Sequence, residues 1–202
     1  LKTGECELSL WYDRITCLSG GHLLTQVGRS HEEDSGVYSL TEHKYVLPLK
    51  KWEISRSSGD SVYIEIRELN HKKYGGVYSL AKSEWTLPLN KGCAFGEPPY
   101  PSIKPHRHNG EEFIIVNKVE TGKVGLFSLA NGFIFSTVFD SMFVHTHGDV
   151  FVATAHDKKT NLKECFVILG ERRYMLPPAT DLYALPRHDE LRNMLIAFAK
   201  KN

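Results

Sequence analysis

The chain has no long hydrophobic run. Its longest apolar stretches, such as Phe113-Ile-Ile-Val116 and Phe166-Val-Ile-Leu169, are far too short to cross a bilayer as helices. It has no excess charge of one sign: 25 Lys and Arg stand against 24 Asp and Glu, in mixed order, for a formal charge of +1. Without a basic stripe to neutralise phosphates, nucleic acid is not an expected partner. No GxGxxG or P-loop pattern precedes a helix, no GxSxG elbow occurs, and no cysteine stands in a nucleophile signature. Cysteine itself is sparse. Cys6, Cys17, Cys93 and Cys165 are far apart and form no CxxC, so two disulfides in any of three pairings and buried free thiols are equally compatible with the spacing. No signal peptide opens the chain, and Leu1 is not a natural start, so a removed leader or a larger parent chain is expected. The compartment, secreted or cytoplasmic, stays open.

What is present is ordinary for a soluble globular protein. Of 202 residues, 41% are hydrophobic and 24% charged, enough to build a core and too apolar for disorder. The organising feature is internal repetition. Gly36-Val-Tyr-Ser-Leu40 recurs forty residues later as Gly76-Val-Tyr-Ser-Leu80, then as Gly125-Leu-Phe-Ser-Leu129 and, degenerate, as Cys165-Phe-Val-Ile-Leu169. Each copy is followed by a polar turn and a second apolar stretch: Tyr45-Val-Leu-Pro-Leu49, Trp85-Thr-Leu-Pro-Leu89, Phe133-Ile-Phe-Ser-Thr137 and Tyr174-Met-Leu-Pro-Pro178. A third stretch follows in three units: Val62-Tyr-Ile-Glu-Ile-Arg67, Phe113-Ile-Ile-Val116 and Val150-Phe-Val-Ala-Thr154. Val, Ile, Tyr and Phe between Gly, Asn, Asp and Ser turns favour strands over helices. Tyr38, Tyr78 and Phe127 hold one repeat position and read as core.

The expected fold is therefore all-β. It comprises tandem, roughly forty-residue three-stranded antiparallel units, arranged as a solenoid, a propeller-like ring or a barrel. Within a single domain of 202 residues the units run 36–75, 76–124, 125–164 and 165–186, after an atypical segment 1–35 with strands near Glu7–Tyr12 and Leu23–Val27. Beyond Pro186, Leu191, Met194, Leu195 and Phe198 fall at helical spacing, which predicts a C-terminal capping helix over 187–202.

Gly122-Lys-Val-Gly-Leu-Phe-Ser-Leu-Ala-Asn-Gly132 and Arg173-Tyr-Met-Leu-Pro-Pro178 resemble the WG (KWG) β-repeat of tandem bacterial proteins, over residues 36–185. Ser35, Gly75 and Val124 stand where that repeat places its tryptophan. The resemblance implies no catalytic residues; it implies an interaction or surface role, with protein or small-ligand partners held by the variable loops. The loops singled out are 92–109 and 141–149, with Tyr100, Lys104, Arg107 and Asp149 as binding residues.

Ten histidines invite a second reading. Two HxH pairs, His106-Arg-His108 and His145-Thr-His147, each put two imidazoles on one side of an extended chain, and imidazole ligates zinc, iron and copper. His106, His108 and Glu112, in Pro105-His-Arg-His-Asn-Gly-Glu-Glu-Phe113, resemble the first cupin motif. Gly148-Asp-Val-Phe-Val-Ala-Thr-Ala-His156 resembles the second, which implies His156 as a fourth ligand and a jelly roll. Val144-His-Thr-His-Gly148 with Thr154-Ala-His-Asp157 resembles the JAB/MPN metalloprotease signature, implying zinc on two histidines and an aspartate, with Glu120 as base. The rival expectation is thus a zinc or iron protein built on His106, His108, Glu112, His145, His147 and His156. The adjacent carboxylates Glu32-Glu33 and Glu111-Glu112 diverge along a strand and read as solvated faces.

Overall fold

A computed structural model describes residues 11–28, 33–56, 60–67, 73–89, 92–95 and 105–179. It is all-β: among the described residues there is no α-helix, only a 3₁₀ turn at Ser19–Gly21. The chain divides into two compact units, Leu1–Ala94 and Phe95–Asn202.

The first unit holds two open antiparallel sheets, each a meander in chain order. One is β1 (Arg14–Cys17), β2 (His22–Val27), β3 (Asp34–Ser39) and β4 (Lys44–Lys50). The other is β5 (Glu53–Arg56), β6 (Ser61–Arg67), β7 (Lys73–Ser79) and β8 (Glu84–Leu87). Leu24, Val37 and Leu47 of the first sheet meet Ile54, Val62 and Ile64 of the second in one apolar core.

The second unit repeats the plan. Its first sheet runs β10 (His106–His108), β11 (Glu111–Lys118), β12 (Val124–Ser128) and β13 (Gly132–Phe139), and short β9 (Cys93–Phe95) spans the boundary of the two units. Its second runs β14 (Ser141–His147), β15 (Val150–Asp157), β16 (Leu162–Leu169) and β17 (Arg172–Ala179). Phe113, Leu126, Phe135 and Phe139 pack against Met142, Phe151, Ala153 and Phe166. The inner strands β6 and β15 are buried on both faces, so Val62-Tyr-Ile and Val150-Phe-Val read as continuous apolar runs with no alternation.

The sheets have four strands where the sequence suggested three, and their phase differs. The Gly-Val-Tyr-Ser copies lie in third strands (β3, β7, β12), the second apolar stretch in fourth strands, and the third stretch in the second strand of the next sheet. The unforeseen members are first strands, Arg-Ile-Thr-Cys, Glu-Ile-Ser-Arg, His-Arg-His and Ser-Met-Phe-Val-His-Thr-His. They sit at edges, bury little, and so carry weak apolar signals. The strand expected at Leu23–Val27 is β2. The one at Glu7–Tyr12 falls mainly outside the described residues, and the C-terminal helix over 187–202 lies wholly outside them.

Each residue of the recurring motif has a physical task. A Cβ on Gly36, Gly76 or Gly125 would meet the carbonyl oxygen of Leu47, Leu87 or Phe135 at 2.9, 2.8 and 2.5 Å, because the fourth strand bulges across that point. The aromatic residue pairs edge-on with one across the turn: Tyr38 with Tyr45, Tyr78 with Trp85, Phe127 with Phe133, at 5.3, 5.5 and 5.2 Å between centroids. The serine hydroxyl accepts the N–H three residues on, from Glu42, Lys82 or Asn131. In all four sheets the residue after the third strand donates back beside the start of the second: Leu40 to Gly21, Leu80 to Asp60, Leu129 to Glu112, Gly170 to Asp149. The fourth sheet has its single register shift earlier, between Lys163 and Cys165, and by register Phe166 stands in the glycine's place. Cys17 and Cys165 are free thiols.

Candidate functional site

In a four-stranded meander the first and third hairpins share an end of the sheet. In the second unit these are the turns Asn109-Gly110, 129–131, Gly148-Asp149 and Gly170-Glu171. Asn109 and Gly110 both have positive φ, 49° and 74°, the pairing that matches a two-residue hairpin to strand twist. The Asn109 amide Nδ2 donates to the Gly170 carbonyl at 2.5 Å, and the Gly170 N–H donates to the Asp149 carbonyl at 3.0 Å. Turns from both sheets are thereby tied together.

Beneath them, the Glu111 carboxylate accepts from the Ser128 hydroxyl, from Asn131 Nδ2 at 2.7 Å, and from both Arg173 nitrogens, Nη2 at 2.5 Å and Nη1 at 3.4 Å. One carboxylate thus joins β11, the turn after β12, and β17. The expectation that Glu111 and Glu112 form a solvated face is corrected. The Glu111 side chain is only 9% exposed and Glu112 4%, the latter facing Arg107 at 3.8 Å.

Register decides what the histidines can do together. Residues opposite one another in an antiparallel pair share a face. His106 lies opposite Phe113 and His108 opposite Glu111, whereas Glu112 lies opposite Arg107 and projects from the other side of the sheet. The structure therefore does not bring Glu112 to the pair His106/His108 as the cupin-like reading implies. The histidine face is also the core face. His108 is 5% exposed, with its ring 5.9 Å from that of Phe151. Its Nε2 is buried without a hydrogen-bond partner among the described residues.

His145 is exposed on β14, opposite Val152, and the His147 backbone pairs with Val150; the His147 side chain lies outside the described residues. His156 stands four residues beyond Val152 on β15, about 13 Å along the strand from the position opposite His145. It contacts Asn161 Oδ1 at 3.3 Å. The Asp157 carboxylate is taken up by its own turn, accepting from Lys159 N–H and the Thr160 hydroxyl. Glu120 is exposed in the turn after β11, at the other end of its strand. Among the described residues, no three His, Cys, Asp or Glu side chains gather so as to hold a metal ion.

Of the expected binding residues, Arg107 is exposed on β10 and Asp149 in a tied turn, while Tyr100 and Lys104 lie outside the described residues. Asn109, Glu111, Asn131 and Arg173 were not foreseen as members of this cluster. The Asn-Gly pair signalled only a turn, and Arg173 is 62 residues from its partner.

Burial pushes the imidazoles of His106 and His108 below the ordinary histidine pKa of 6.5, while Asp149 and Glu111 oppose the shift at His108. The unfolded chain then binds more protons than the folded one below about pH 6.5. Stability contributed by these groups should be level above that pH and fall as the pH drops through the lower folded-state values. Urea unfolding between pH 7.5 and 5 checks this: the slope should flatten in a His106→Asn/His108→Asn variant, and an unchanged slope would show that the histidines do not carry it.

A comparison with protein-family models finds none that matches the chain, and a comparison with curated proteins finds no match. Among the described residues, no helix is long and apolar enough to cross a membrane.

Proposed function

We propose that this chain is a non-enzymatic recognition module whose repeating unit is the four-stranded antiparallel sheet. It binds a protein or small-ligand partner through the turns of the second unit. The observation that carries this reading is the contrast between frame and turns. Glycine, aromatic pair and serine-capped turn recur in three sheets, whereas the hairpin ends carry unrelated polar residues held in place by Asn109, Gly170 and the Glu111–Arg173 pair. Constant scaffolds with divergent, rigidly held turns suit recognition, because little entropy is lost when such turns bind.

The test immobilises wild-type chain beside an Arg107→Ala/Asn131→Ala/Asp149→Ala variant and a Glu42→Ala/Lys44→Ala control, and exposes all three to one extract. Proteins retained by wild type and control but lost from the turn variant support the reading; identical retention by all three overturns it. Metal content of the same preparations separates the rival. Near-stoichiometric zinc or iron that disappears in a His106→Ala/His108→Ala or His145→Ala/His147→Ala variant would replace recognition with metal chemistry.

A further inference from the structure

A sheet has two faces, and each needs a partner layer before its side chains leave water. Register sorts the side chains of the sheet β14–β17 between two such faces. Phe151, Ala153, Phe166 and Ile168 face one way and pack against Phe113, Leu126 and Phe135 of the preceding sheet. Val150, Val152, Cys165 and Val167 face the other way, with Val152 opposite Val167 and Thr154 opposite Cys165. They form a second cluster, flanked by Leu169, Tyr174 and Leu176, and every described member belongs to this one sheet. Yet Val150 and Val152 are 3% and 2% exposed, and Cys165 and Val167 are fully buried. This burial is internal to a single chain, so another part of that chain supplies the cover.

The cover has a width. On the same face, Phe143 and His145 of β14 stand opposite Thr154 and Val152, and both are exposed. The covered area therefore spans β15, β16 and β17 and stops short of β14. Three strands set two spacings of about 4.8 Å, which is close to the width of one α-helix and narrower than a second sheet. Two stretches of this unit lie outside the described residues, 96–104 and 180–202. The first, Gly-Glu-Pro-Pro-Tyr-Pro-Ser-Ile-Lys, leads into β10 of the other sheet, and its prolines bar a helix. The second leaves β17, the last strand of this sheet, at Ala179. It carries Leu191, Met194, Leu195 and Phe198 at the spacing of one helix face, with Asp189 and Glu190 before them and lysines after.

We propose that residues 180–202 fold back as an amphipathic helix across β15–β17, seating Leu191, Met194, Leu195 and Phe198 on Val150, Val152, Cys165 and Val167. The segment is joined to the sheet it covers, so docking is intramolecular and costs little association entropy. The last sheet thereby takes its second layer from the chain's own tail, whereas its other face takes a layer from a neighbouring sheet. Cys165 lies beneath the helix, which makes its thiol a reporter of the cover.

Alkylation of the native full chain with iodoacetamide, followed by peptide mass mapping, compares Cys165 with the exposed Cys17. In wild type, and in Asn193→Asp, which adds a charge on the far side of the helix, Cys17 should react while Cys165 stays unlabelled. Leu195→Asp/Phe198→Asp should raise Cys165 labelling at least about tenfold, with Cys17 labelling unchanged and the near-ultraviolet circular dichroism still that of a folded protein. Nuclear Overhauser contacts between the Phe198 ring and the methyls of Val152 or Val167 give a second reading on the unaltered chain, and they decide alone if the double variant fails to fold. Cys165 that stays protected in a folded double variant overturns the proposal and places the cover elsewhere in the chain. So does the absence of those contacts in wild type.

Discussion

Replacing Phe151 with alanine should lower the stability of the second unit by about 3–5 kcal/mol, the largest single-residue effect expected in this chain. Phe151 is fully buried at the centre of an aromatic cluster. Its ring lies 4.3 Å from Phe113, 6.3 Å from Phe166 and 5.9 Å from His108, so it joins β11, β16 and β10 through one side chain on β15. Two terms add. The apolar surface of the ring returns to water, and a cavity remains, because β15 is hydrogen-bonded on both sides and cannot collapse into the space. Aromatic contacts of this geometry contribute about 0.5–1.5 kcal/mol each beyond their area. Phe151→Leu keeps most of the volume and should cost about 1–2 kcal/mol. Urea denaturation followed by intrinsic fluorescence measures both. A Phe151→Ala loss below about 1 kcal/mol would mean that the two sheets are held by something other than this cluster.

The all-β class and the inner strands of every sheet were legible in the sequence, since β3, β6, β7, β11, β12 and β15 carry the apolar, β-branched and aromatic runs that burial demands. Phase was not. The strongest motif marks a third strand, and reading each unit from it detached the quiet first strand of every sheet. His-Arg-His and Ser-Met-Phe-Val-His-Thr-His show the cost of that. Alternation along an edge strand looks the same as ligand spacing, and only the cross-strand register shows that His106 and His108 face the core while Glu112 faces away. The Glu111–Glu112 pair was misread for a related reason. The polar partners of Glu111 are Ser128, Asn131 and Arg173, between 17 and 62 residues distant, and no local pattern signals them. The aromatic positions, by contrast, were legible because their partners lie a few residues across a tight turn.

The recurring glycine gives the second large effect. Gly125→Ala should cost about 2–3 kcal/mol, although the substitution adds a single methyl group. That methyl would sit 2.5 Å from the Phe135 carbonyl oxygen and 2.8 Å from the Ser136 carbonyl carbon, both backbone atoms of a strand bulging across β12. No side chain can rotate away, so β13 must move, and with it the core contacts of Phe135 and Phe139. Gly132→Ala separates this from conformational strain. Gly132 has φ +79° and nothing near its missing Cβ, so alanine there meets only the backbone preference and should cost about 1 kcal/mol. Gly36→Ala and Gly76→Ala meet carbonyl oxygens at 2.9 and 2.8 Å and should fall between the two. Denaturant unfolding of the four variants gives the ranking. If Gly125→Ala were no worse than Gly132→Ala, the bulge would be soft, and the glycine would mark only a preferred turn of the chain. The expected order makes close backbone approach the reason the same residue stands at this point in three sheets.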